Sequence, residues 1–140
     1  MINTNTAPYG ALILRLGLGV MFIAHALLKL LVFTLPGTVK FFETVGYPGF
    51  VAYVVIAAEL IGGGLLVLGV YTRWVALALI PILLGAALVH APNGWVFNAP
   101  NGGWEYPVFL AVASLAQALI GDGALALRAS STVVARRQPA

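Results

Sequence analysis

Four long apolar runs, at about 10–35, 49–70, 73–90 and 106–127, divide this chain, and few polar positions interrupt them. A helix needs about 20 mainly apolar residues to cross a hydrocarbon core of about 30 Å. The pattern therefore predicts four membrane-crossing helices rather than amphipathic helices around a soluble core. The polar positions within the first run are ordered. At about 100° per residue, His25 and Lys29 lie about 40° apart and Arg15 falls within about 80° of His25, on one stripe with Leu18 and Phe22. Each charge near the centre of such a helix costs roughly 2.5–3.5 kcal/mol on insertion scales, so the stripe calls for partners.

The connecting segments carry turn signals. Pro36-Gly37 is expected to stop the first helix, and residues 38–44 fit a short interfacial turn, with Phe41, Phe42, Tyr47 and Phe50 at headgroup level. The link Tyr71-Thr72-Arg73-Trp74 is so short that spans two and three must form an antiparallel hairpin. Pro81 removes a backbone N–H from the third and shortest span, which predicts a kink. Ala91-Pro92-Asn93-Gly94-Trp95 is echoed by Ala99-Pro100-Asn101-Gly102-Gly103-Trp104, two turns that read as one loop on the membrane surface. Pro107 suits the first turn of the fourth helix, and Gly121-Asp122-Gly123 weakens its end.

Composition agrees with lipid as the solvent. Of 140 residues 61% are hydrophobic and 8% charged, and the mean hydropathy is +1.02, whereas soluble domains are about 25% charged. The fold class is thus all-α integral membrane: a four-transmembrane-helix bundle over residues 1–127, followed by a basic tail, 128–140. With no basic residue ahead of the first run and no small-residue cleavage site, that run is expected to remain as a helix rather than a removed signal peptide. Four spans put the N-terminus, Arg73, Arg128, Arg136 and Arg137 on one side and only Lys40 on the other. The positive-inside rule then places both termini in the cytoplasm of a bacterial inner membrane. The absence of cysteine from the sequence excludes thiol redox chemistry, disulfides and iron-sulfur ligation. His25 and His90 differ in depth, which argues against haem, and no metal site is expected. No basic cluster lies outside the tail, so nucleic acid is not an expected partner; the bilayer, a homo-oligomer or a larger membrane complex is.

Glu59 falls near the middle of the second span, where a carboxyl cannot reach water, with Gly62 and Gly63 on its face. His90 ends the third span and Glu105 begins the fourth, both at the outer level. If the spans turn their polar groups inward, Glu59 meets His25 and Lys29, with His90 and Glu105 above and an Arg15–Asp122 ion pair below. Such a set can relay protons or hold the polar head of a lipid-soluble ligand such as a quinone. In that reading Glu59, His25 and Lys29 carry the chemistry, and Gly62, Gly63, His90 and Glu105 help bind the ligand. Each residue also has a structural reading. Lys29 and Arg15 could snorkel, Glu59 could hold two helices in an ion pair, His90 and Glu105 could serve as helix-end partners, Asp122 could stop a helix, and Gly62-Gly63-Gly64 could let helices approach.

The ordered set Arg15, Gly19, Phe22, His25 and Lys29, then Glu59-Leu60-Ile61-Gly62-Gly63, Leu66, Gly69, Thr72-Arg73, His90, Gly121 and Gly123, resembles the DoxX family of small bacterial membrane proteins. The resemblance covers about 15–127. Ala26 stands where many members have Gly after the histidine, which narrows the space there. The resemblance implies a four-helix membrane fold, with relatives that include subunits linked to quinone reduction and to membrane oxidoreductase assemblies. Three functions follow as expectations: a quinone- or lipid-soluble-ligand-binding subunit, a noncatalytic assembly subunit whose ion pairs fix helix register, and a proton-coupled permease for a small solute.

Overall fold

A computed structural model of the chain describes residues 3–130, so Arg136 and Arg137 lie outside the described residues. Five α-helices account for most of it: α1, Ala7–Leu27, continued by a π-helical turn, Leu28–Val32; α2, Leu35–Thr44; α3, Phe50–Leu68; α4, Thr72–His90; and α5, Glu105–Ile120. α1 with its π turn, α3, and α4 with the short turn after it are long and apolar enough to cross a membrane; α5 is a shorter apolar helix of 16 residues. α1 packs on α3, α3 on α4, α4 on α5 and α5 back on α1, which closes a ring of four helices with α2 lying against α3 at one end.

Leu18, Phe22, Leu66, Leu79, Leu83 and Leu110 form the buried centre of this ring. The outside is as apolar as the inside. Ile13, Leu31, Leu88 and Leu119 are each at least 70% exposed, and apolar surface on every side suits lipid rather than water. Backbone contact sets the α1–α3 spacing. A Cβ on Gly63 would lie 2.8 Å from the Gly19 carbonyl oxygen, and one on Gly19 would lie 2.8 Å from that of Gly63. Only glycine at both positions lets the helices cross this closely.

The first run ends earlier than its apolar length suggests. Phe33 donates to Leu28 O five residues back, at 3.1 Å, and Thr34 adopts φ 62, where the helix cannot continue. The Thr34 side chain then accepts from Gly37 N and caps α2, with Pro36 in its first turn. Pro36 therefore begins a helix, and residues expected to form a turn make the ten-residue α2. Its Thr38 hydroxyl donates to Lys29 O at 2.9 Å, tying α2 to the π turn.

The α3–α4 hairpin forms as expected, with Gly69 at φ 69 and Tyr71 at φ 48 making the turn, and α4 stays helical through Pro81. The fourth run, read as helical to 127, is helical only to Ile120, which makes α5 the shortest member of the ring. Gly121, Gly123 and Leu125 all have positive φ, and residues 121–130 run as an irregular strap across the end of the ring. Ala124 N donates to Pro8 O, Arg128 N to Gly69 O, and Tyr71 N to Arg128 O, so the strap joins the start of α1 to the α3–α4 turn.

Candidate functional site

At the other end, a cavity of about 480 Å³ opens between α1, its π turn, α2, α3, α4 and α5. His25, Lys29, Glu59, His90 and Tyr106 are among the residues that line it, and Phe42, Val51, Val55, Ile82 and Leu110 belong to its apolar wall. That volume is in the range of small-molecule sites, and an apolar wall with a few polar groups is their usual make-up.

The ionic part is a closed pair. Lys29 Nζ donates to both Glu59 carboxylate oxygens at 2.8 Å, with side chains 20% and 7% exposed. The π turn places Lys29 here. The close crossing at Gly19 and Gly63 brings the α3 face that carries Glu59 against α1. Two charges held this way in an apolar wall stabilise little in net terms, yet losing one partner strands the other. The pair lines the cavity rather than filling it.

His25 Nδ1 lies 2.8 Å from Met21 O on its own helix, and the ring stacks on Tyr106 with centroids 5.5 Å apart. His90 Nδ1 lies 3.0 Å from Asn101 O, which joins the end of α4 to the loop beyond it. The echoed turns fold on each other, with Trp95 and Trp104 edge to face at 4.4 Å.

The structure thus brings together four of the expected ligand groups, His25, Lys29, Glu59 and His90, and leaves three out. Glu105 accepts from Phe97 N at 2.9 Å and lines a separate outer groove; at the start of α5 its charge is better placed to fasten the loop and face the helix dipole. Gly63 faces the α1 backbone, and a Cβ on Gly62 would lie 2.9 Å from Leu79, so both serve helix packing rather than a ligand.

Arg15 and Asp122 stand close enough for their charges to interact but form no direct salt bridge. Lys29–Glu59 is the salt bridge found among the described residues. Arg15 is 1% exposed and donates through Nη2 to Ala124 O at 3.3 Å. Asp122 instead accepts from Thr72 N at 3.1 Å, Ser130 N at 2.8 Å and the Ser130 hydroxyl. Burial alone would raise this carboxyl, but the bonds from Ser130 and Thr72 outweigh it and hold Asp122 below its ordinary value. It caps the start of α4 from 50 residues away. Arg73 in turn donates to Ala118 O and Leu119 O, closing the end of α5.

Sequence reasoning missed Tyr106 and the α2 aromatics. A tyrosine at the start of a span has the same sequence signature as an interface anchor, and nothing local announces that it stacks on a histidine 81 positions earlier. Phe41 and Phe42 likewise read as headgroup residues and instead form cavity wall.

A ring of apolar helices with its surface greased on every side, enclosing an ion pair and two histidines at one cavity, defines a helical membrane protein with a candidate small-molecule site. The sequence signature of the DoxX family matches residues 10–92, and the chain belongs to that family. It is 38% identical over 119 residues to a protein of Bacillus subtilis (strain 168) named "Putative oxidoreductase CatD", covering 84% of each chain. No solved structure matches it significantly.

Proposed function

We propose that this chain crosses the bacterial cytoplasmic membrane as a four-helix bundle with both termini in the cytoplasm, and that it binds the head group of a quinone as a subunit of membrane redox chemistry. The observation that carries this reading is the cavity itself, where Lys29, Glu59, His25 and His90 converge in an apolar wall. The ion pair orients the head group, Glu59 exchanges a proton with it, and the apolar wall takes the ring and tail. Arg73 and Arg128 at the strap end, against Lys40 at the cavity end, support the orientation. The name of the Bacillus relative supports an oxidoreductase setting. Difference spectroscopy of the purified protein with a short-tailed quinone tests it. Saturable binding, weakened by Glu59→Gln, is expected, and no binding of the quinone or of its quinol by the wild type, or no loss on substitution, would sink it.

A second reading, a noncatalytic assembly subunit, draws on the closed Lys29–Glu59 pair, which ties the π turn to α3. Under it, Lys29→Met with Glu59→Gln leaves a folded protein with full function, and partner proteins copurify in mild detergent.

A further inference from the structure

The hydrogen-bonding inventory of the cavity leans toward acceptors. A backbone carbonyl only accepts, so the contact between His25 Nδ1 and Met21 O requires the proton on Nδ1. The neutral ring then carries its lone pair on Nε2. His90 repeats the arrangement through Asn101 O at 3.0 Å; the Asn93 amide nitrogen, at 3.5 Å, is too far to reverse it. Neither Nε2 atom has a hydrogen-bond partner among the described residues, and neither is among the buried side-chain atoms lacking one, so both remain accessible on residues that line the cavity. Glu59 adds carboxylate lone pairs beyond those that Lys29 engages. Against these three acceptors stand two cavity donors, the N–H of Lys29 left after its two bonds to Glu59 and the hydroxyl of Tyr47, which accepts as well as donates. The Tyr106 hydroxyl is buried out of reach.

We infer that this cavity selects a ligand that donates hydrogen bonds, the reduced, hydroxyl-bearing quinol over the quinone, with Nε2 of His25 and of His90 as acceptors for its hydroxyl groups. The inference rests on the quinone-site reading above and adds the redox form that the site prefers. A quinone brings only carbonyl lone pairs, which leave both imidazole acceptors unpaired in an apolar enclosure, and that mismatch discriminates more strongly than a hydrogen bond attracts. A quinol hydroxyl donates to an imidazole and still accepts from Lys29.

Calorimetric titration of the purified protein in detergent at neutral pH, with one short-tailed benzoquinone and its quinol held reduced under argon, decides the matter. The quinol is expected to bind at least about tenfold more tightly. His25→Leu and His90→Leu are each expected to weaken quinol binding severalfold and leave quinone binding nearly unchanged, so that the preference shrinks. Equal affinities in the wild type, or tighter quinone binding, overturn the inference while the quinone site stands. Binding of neither form overturns the site reading and this inference with it. The wild-type ratio decides even if a histidine variant fails to fold.

Discussion

The two ends of the helix ring treat their charged groups in opposite ways. At the strap end, Arg15, Arg73 and Asp122 bond to backbone or to Ser130: Arg15 to Ala124 O, Arg73 to Ala118 O and Leu119 O, Asp122 to the N–H groups of Thr72 and Ser130. At the cavity end, Lys29 and Glu59 bond to each other, and His25 and His90 give only one nitrogen to the backbone. Charge committed to backbone fixes helix ends. Charge paired side chain to side chain beside a cavity is free to exchange partners. One end is built as a fastening and the other as a candidate site.

That contrast can be tested by stability first. Gly69 combines a left-handed turn with contact against Arg15 and Ala126, where any Cβ would overlap both. Gly69→Val is expected to cost more than about 4 kcal/mol, seen as lost expression or a collapsed thermal transition in detergent. A folded Gly69→Val protein with a normal transition would show that the strap end is not a fastening. At the cavity end, Lys29→Met strands Glu59 and is expected to cost roughly 3 kcal/mol, while adding Glu59→Gln restores most of it. Failure of the double variant to recover would mean that the pair holds the fold as firmly as the strap does.

Asp122→Ala removes three hydrogen bonds, one of them the cap on α4, for an expected loss of about 2–3 kcal/mol. Its pH dependence has a definite sign. The folded carboxyl titrates below its ordinary 3.8, so its contribution is fully present above about pH 4 to 5 and fades as pH falls through the lower folded value. Thermal unfolding from pH 7 to pH 3 should show that acid loss in the wild type and a smaller one in Asp122→Asn. Tyr106→Phe has the smallest expected effect on stability. It deletes a buried hydroxyl that lacks a partner while keeping the stack on His25, so the transition should stay or rise by about 1 kcal/mol. A clear fall would place a hidden hydrogen bond at the cavity end.

Much of this was legible in the sequence. Run length and hydropathy are local properties, and they sufficed for the helical class, the α3–α4 hairpin and the isolation of Glu59, Lys29 and His25 as charges needing partners. Glycine spacing announced close helix contact, though not whether Gly62 and Gly63 face helices or a ligand. The strap was legible only in part: Gly121-Asp122-Gly123 marked a weak helix end, but the apolar residues 124–127 read as more helix. Their path is decided by Gly121 and Gly123 at positive φ and by bonds to Pro8, Leu68 and Gly69.

The sequence by itself determined that this chain lives with lipid on its surface and that a few polar residues at defined helical spacing must meet inside. Only the tertiary structure decided which ones meet. Lys29 finds Glu59 because two glycines let α1 and α3 cross at backbone contact. Arg15 and Asp122 make no direct salt bridge, because a backbone carbonyl 109 residues away and the first N–H of α4 claim them separately. Periodicity sets the face a residue occupies, but the choice of partner among several faces depends on how closely whole helices pack.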